Sequence, residues 1–229
     1  TGQYYKLRDQ SPKWQQVNHD DHYQFDVVLA NPPWASRYEG YEELEDLFPI
    51  HTADTAGLFL QHALSKLLDE GLAVLVLPEG FFYKNSDRGL RKELVNNHDV
   101  KAIISLPTNV LPYTSIKPHI LVVSKGGSTK KIRMINSEQY FEKNKLNLDF
   151  ELSEKNLTRL LNDIEDDIED KEKTIAWDIS IDEIIEREWD LTPKAPNNLL
   201  PMLVESLESR NLLLKDCCEI LIGNHIESV

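Results

Sequence analysis

The chain has 229 residues, 41% of them hydrophobic and 28% charged, with a formal net charge of −14 and a pI near 4.9. That composition is globular, and its acidity excludes a free-standing, non-specific nucleic-acid binder, which needs a basic face to displace counterions; a local basic groove, or a partner that supplies one, stays open. No run approaches the roughly 18 apolar residues of a membrane span, the opening TGQYYKLRDQ has no signal-peptide core, and the adjacent Cys217 and Cys218 suit neither a disulfide framework nor a zinc site, so a cytoplasmic protein is expected.

In chain order, the first strong element is QFDVVLA, Gln24 to Ala30, whose short β-branched core bounded by polar residues predicts a buried strand. It stops at Asn31-Pro32-Pro33-Trp34. HTADTAGLFLQHALSKLLDEG, His51 to Gly71, predicts a helix: Ala56, Phe59, Leu60, Ala63, Leu64, Leu67 and Leu68 form one apolar stripe. Thr52 or Asp54 can cap it, and Gly71 suits a left-handed stop. LAVLVLP, Leu72 to Pro78, is apolar throughout and predicts a central strand covered on both faces. A helix over 86–97 and strands Val100 to Pro107 and His119 to Lys125 follow. Gly126-Gly127 and KIRMIN, Lys131 to Asn136, then read as a hairpin partner. Alternating strands and helices imply an α/β fold with a mostly parallel sheet and an antiparallel edge hairpin.

Beyond about Tyr140 the chain turns acidic and helical in period. Seven acids fall within ten residues from Asp163 to Glu172, as on a solvated helix face. The expected division is an α/β domain over 1–140, which the resemblance given below implies to be a partial catalytic domain, an acidic helical extension over 141–200, and a helix with the start of another domain over 201–229. WDLTPKAPNN, Trp189 to Asn198, is proline-broken and marks the second boundary.

The chemistry gathers at Asn31 to Trp34. In open α/β sheets ligands bind at the carboxyl ends of strands, where this tetrapeptide sits. Two prolines lock the backbone and remove two N–H donors. Acceptors remain, namely the Asn31 amide oxygen and main-chain carbonyls, and they suit an exocyclic amine with two N–H bonds to give. Trp34 adds a flat surface on which a base can stack. The plainer alternative is a helix-start turn with Trp34 in the core.

The tetrapeptide resembles the (Asn/Asp/Ser)-Pro-Pro-(aromatic) signature of amino-methyltransferases that use S-adenosylmethionine (AdoMet). GLFLQHALSKLLDEGLAVLVLPEGFFY, from Gly57, and LRKELVNNHDVKAIISLPTNVLPYTSIKPHILVVSK, from Leu90, are similar to the segments that follow it in N6-adenine DNA methyltransferases, above all the modification subunit of type I restriction-modification systems. EIIEREWDLTPKAPNN resembles the close of that catalytic domain, and LLLKDCCEILIGNHIESV the opening of a DNA-specificity domain.

The resemblance implies a Rossmann-like fold and methyl transfer from AdoMet to a flipped-out adenine in double-stranded DNA. A DNA-specificity subunit or domain, and a restriction subunit, are the partners it implies. On it, Asn31 and the Pro32 carbonyl accept from the adenine amine, Pro33 shapes the loop and Trp34 stacks on the base. Phe59 lies either beside the cofactor's adenine or in the core stripe; Asp9 either binds the cofactor's adenine amine or is a surface acid. The position of an aromatic on the other face of the base holds Leu111, with Tyr113 nearby.

The chain also departs from the family in the cofactor half of the site. The glycine-rich cofactor loop, of the Asp-Pro-x-x-Gly-x-Gly kind, is absent: Gly2 alone precedes Asn31, and Gly126, Gly127 and Gly223 make no such loop. The expectation is therefore the C-terminal half of a catalytic domain, inactive in isolation, or a chain that works with another. Methylation of a protein glutamine or an rRNA guanine amine, and a non-catalytic scaffold of the same fold, stay open. His19 to His22 (HDDH) reads as a solvated turn. Lys84, Arg88, Arg91 and Lys92 are the candidate phosphate contacts.

Overall fold

The computed structural model describes residues 4–7, 14–17, 24–34, 48, 50–52, 54–143, 150–165 and 175–194. Strands β1 (Tyr4–Leu7) and β2 (Trp14–Val17) form an antiparallel hairpin that the sequence pattern did not mark. The main sheet holds β3 (Phe25–Ala30), β4 (Leu67–Pro78), β5 (Asp99–Ser105), β6 (Pro118–Ser124), β7 (Lys131–Asn136) and β10 (Ala176–Ser180), in the order β10-β7-β5-β6-β4-β3. β3 runs parallel to β4, and β5 parallel to β7. β6 is antiparallel to both β4 and β5, and β10 to β7. Four strands thus point one way and two the other. This is the expected mixed, Rossmann-like α/β sheet, with one detail changed: β6 and β7 are not a hairpin, because β5 lies between them. Gly126 and Gly127, at φ +82° and +79°, turn the chain out of β6.

The helix expected over His51–Gly71 is shorter. α1 (Thr55–Ser65) starts where the Asp54 carboxylate accepts from the Ala56 amide at 2.9 Å, and it ends at Lys66. Leu67 and Leu68 already belong to β4. Gly71 is not a helix stop; it lies in β4, where a Cβ would come 2.9 Å from the Leu68 carbonyl oxygen. α2 (Glu79–Tyr83), a 3-10 turn (Asn85–Asp87) and α3 (Arg88–Asn97) follow β4. The interval expected as helical carries α4 (Glu154–Glu165) and α5 (Ile181–Glu186), but also the short pair β8 (Phe141–Lys143) and β9 (Phe150–Leu152), and edge strand β10. Trp177 and Ile179 of β10 join the main core.

That core lies between the sheet and helices α1 and α3. Leu60 and Leu64 of α1 and Leu90 and Leu94 of α3 cover Leu75, Leu77, Ile103 and Leu121. Arg91, 1% exposed, sits inside this layer. Its guanidinium donates to the carbonyls of Trp189 (2.6 Å), Phe81 (2.8 Å) and Lys84 (2.8 Å), joining three chain segments. Burial depresses its pKa, and the charges of Asp87 and Asp190 oppose that shift.

β3 differs from the buried strand the sequence predicts. Val28 and Ala30 pack on the core, whereas Phe25, Val27 and Leu29 are 51%, 53% and 74% exposed. Side chains alternate between the two faces of a strand. Among the described residues β3 is the edge strand, with one neighbour, β4, and one uncovered apolar face.

Candidate active site at the end of β3

The parallel register sets Ala30 beside Leu75, so the chain leaving β3 at Asn31 runs along the last residues of β4. Prolines cannot donate to a ladder, and pairing ends there. Two side chains replace the lost ties. The Trp34 indole N–H donates to the Val76 carbonyl at 3.1 Å, and the Thr55 hydroxyl donates to the Pro33 carbonyl at 2.9 Å. The tetrapeptide is thereby fastened to β4 on one side and to the first turn of α1 on the other. Pro32 is buried, Trp34 half-buried, and Asn31 and Pro33 exposed. The Asn31 amide nitrogen donates to the Tyr113 hydroxyl at 3.3 Å. Among the described residues no donor reaches the Asn31 amide oxygen or the Pro32 carbonyl.

Beside the tetrapeptide, at the same carboxyl ends, lies an open cleft of about 440 Å³ lined by Asp54, Pro78, Glu79, Lys84, Thr108, Ser115 and Lys117, among others. Its floor is tied by the Glu79 amide, which donates to the Lys117 carbonyl at 2.9 Å. Lys117 pairs with Glu138 at 2.9 Å. Behind it, the Thr52 hydroxyl donates to Asp87 at 3.2 Å and that of Ser86 at 3.1 Å. Burial raises the Asp87 pKa against the pull of those hydrogen bonds, and the Asp54 charge adds to the rise.

The structure brings Asn31, Pro32, Pro33 and Trp34 together as one turn. Phe59 is not core: it is 43% exposed, outside the buried face of α1. Asp9, the HDDH stretch, Cys217 and Cys218 lie outside the described residues, which contain no group of His, Cys, Asp and Glu able to hold a metal. Glu79 both opens α2 and lines the cleft. The basic cluster divides. Lys84 lines the cleft, Arg88 pairs with Glu188 at 3.7 Å, Lys92 lies 5.8 Å over the Trp189 ring, and buried Arg91 is withdrawn from any phosphate role. That Arg91 is structural was signalled by its place in the stripe Leu90, Leu94, Val95. The Asn31–Tyr113 bond, spanning 82 positions, had no local signal.

A mixed sheet with this strand order, carrying an acceptor-lined Asn-Pro-Pro-Trp turn at the carboxyl end of a parallel strand, defines a Rossmann-like α/β protein of the methyltransferase class. The family model for the N-6 DNA methylases matches residues 8–200, and the chain belongs to that family. It is 33% identical over 182 residues to the type I restriction enzyme EcoEI methylase subunit of Escherichia coli, covering 76% of this chain and 36% of that protein. It is 32% identical over 189 residues to the MpnII methylase subunit of Mycoplasma pneumoniae, covering 77% and 34%. The chain thus spans about a third of the length of these relatives. Among solved structures, the type I restriction-modification methyltransferase subunit from Streptococcus thermophilus matches with a TM-score of 0.65 and 25% identity, over 77% of this chain and 39% of that one. A modification subunit of a putative type I restriction enzyme from Vibrio vulnificus matches with a TM-score of 0.63 and 26% identity, over 80% and 40%. Among the described residues no helix is long and apolar enough to cross a membrane.

Proposed function

We propose that this chain carries the target-base half of an N6-adenine DNA methyltransferase active site, in the modification component of a type I restriction-modification system. The observation that carries this reading is a pair of acceptors that no donor among the described residues reaches, the Asn31 amide oxygen and the Pro32 carbonyl, on a turn that Trp34 and Thr55 hold in place. An adenine still stacked in duplex cannot reach such a turn, so the base enters flipped out. The two acceptors take the two N–H bonds of N6, and the nitrogen lone pair is left pointing at its electrophile. Pro33 fixes the turn, and Trp34 offers its ring face to the base. With AdoMet held by the rest of the enzyme, Asn31 and Pro32 would keep N6 in line with the methyl it supplies, and the amine would release one proton to solvent.

When bound, AdoMet supplies an electrophilic methyl on a sulfonium. The donor set for it is only partly here. Phe59, exposed on α1, is a candidate of this chain to pack against the cofactor's adenine. The close backbone approach to its methionine end needs a glycine-rich loop that these 229 residues do not contain. The uncovered face of β3 (Phe25, Val27 and Leu29) is the surface on which the cofactor-binding part of the domain packs. In this reading the isolated chain is inactive. The net charge of −14 assigns most of the affinity for double-stranded DNA to a DNA-specificity subunit or domain, with a restriction subunit as the further member of the assembly.

The test is product identification. The full-length protein with its specificity partner is incubated with methyl-labelled AdoMet and duplex DNA, and the DNA is digested to nucleosides. The expected result is label in N6-methyladenine. Label in protein glutamine moves the target to an amide nitrogen, and no transfer to any acceptor leaves a non-catalytic scaffold.

A further inference from the structure

The turn has to hold two acceptors and one flat ring in a single geometry, and covalent chemistry fixes only part of it. A residue followed by proline is confined to extended backbone, which restrains ψ at Asn31 and at Pro32. The rings lock φ at Pro32 and Pro33. From Asn31 to the Pro32 carbonyl the chain is therefore one stiff unit that carries both acceptors. Past it comes ψ of Pro33, the first backbone torsion that neither a ring nor a following proline restrains. Rotation there swings Trp34, and with it the stacking surface, relative to the acceptors.

A hydrogen bond stands on that torsion. The Thr55 hydroxyl donates to the Pro33 carbonyl at 2.9 Å. A carbonyl can only accept, so the direction of this bond is fixed. The carbonyl shares a planar peptide unit with the Trp34 nitrogen, so holding its oxygen holds ψ of Pro33. On the other side of that unit the Trp34 indole N–H, a donor only, reaches the Val76 carbonyl at 3.1 Å. Thr55 is itself well anchored. Its β-branched side chain is stiff at χ1. It opens α1 directly after the cap, Asp54, whose carboxylate accepts from the Ala56 amide at 2.9 Å. The helix behind it is seated in the core through Leu60 and Leu64. The Gln61 side chain adds two ties to Ile50, accepting from its amide at 3.0 Å and donating to its carbonyl at 2.9 Å. We infer that Thr55 is a positioning residue for methyl transfer: by fixing ψ of Pro33, its hydroxyl sets the angle between the Trp34 ring and the two acceptors. This rests on the function proposed above.

The test uses the full-length protein with its specificity partner, duplex DNA and methyl-labelled AdoMet. Wild-type transfer of methyl to adenine checks the underlying function first; its absence sinks that reading and not merely the role of Thr55. Given transfer, Thr55→Val keeps the branched shape and removes the hydroxyl, whereas Thr55→Ser keeps the hydroxyl and removes the methyl. A turn with a loosened torsion spends less time aligned. In Thr55→Val, kcat per folded enzyme is therefore expected to fall about fivefold, the effect of one neutral hydrogen bond, with an unchanged KM for DNA. Thr55→Ser, which keeps that bond, is expected to stay within about twofold of wild type. Thr55→Ala also lacks the hydroxyl and is expected to match Thr55→Val, so that either variant decides if the other folds poorly. A wild-type kcat in the hydroxyl-free variants overturns the proposal. So does an equal loss in Thr55→Ser, which assigns the effect to packing of the methyl group. A raised KM at unchanged kcat overturns it too, because Thr55 is then a DNA contact.

Discussion

At the centre of the sheet Leu75, Ile103 and Leu121 are fully buried. At its β3 edge Phe25, Val27 and Leu29, residues of the same kind in the same kind of strand, lie open on one face. The two regions differ in their neighbours, not in their chemistry. Each central strand is paired on both sides and roofed by α1 and α3, whereas among the described residues β3 has only β4. An apolar strand therefore reports that something covers it, but not whether the cover lies in the same stretch of chain. The edge also carries the Asn31–Trp34 turn, two of whose acceptors no donor among the described residues reaches. Scaffold and chemistry are separated along the sheet, and each can be perturbed without the other.

The largest effect on the scaffold is expected from Ile103→Ala. Ile103 is fully buried between Leu121 and Met134 in the register of β5, and the cavity left behind costs about 3 kcal/mol. Denaturant unfolding measures it, and the remaining folded enzyme retains its kcat. If kcat falls in step with stability, centre and edge are not separable.

A pH effect comes next. His119, 1% exposed, packs edge-on against Phe82 at 5.0 Å. Neither ring nitrogen has a partner among the described residues. Burial, reinforced by the Lys117 charge, depresses its pKa to about 4. The folded value lies below the unfolded one of about 6.5, so the native state binds fewer protons. Stability is full above pH 6.5 and falls as the pH drops toward 4. Between pH 7 and 5 the loss from this group is about 2 kcal/mol. His119→Leu flattens that slope, and an unchanged slope would show that the ring protonates at no cost in the folded protein.

A smaller change is expected at the junction of the two regions. Trp34→Phe keeps an aromatic face but loses the hydrogen bond to the Val76 carbonyl. It is expected to cost about 1 kcal/mol of stability and to raise KM for DNA by a few fold with a smaller effect on kcat. A wild-type KM would deny Trp34 any part in holding the base.

Much of the sheet was legible because strand and helix periods are local signals: β3 to β7 and α3 fall within a few residues of their expected places. The end of α1 was not, because Leu67 and Leu68 continue its apolar spacing while pairing as strand. Nor was the place of β7, since a glycine pair after a strand reads as a hairpin whether or not another strand slips between. In the candidate site, the acceptor turn was legible because proline at a strand end has few structural reasons to occur twice. The Tyr113 contact and the Arg91 staple depend on distant segments, and residues far apart in sequence leave no periodic trace.

The central claim is that Asn31 belongs to the chemistry and not to the scaffold. Its direct test is Asn31→Ala in the full-length enzyme with its specificity partner, with methyl transfer to adenine and the unfolding midpoint measured on the same preparation. Asn31 is exposed and, among the described residues, makes one 3.3 Å hydrogen bond, so the account predicts transfer below a few per cent of wild type at an unchanged midpoint. Retained transfer would contradict it, as would a loss of activity that merely follows a loss of fold.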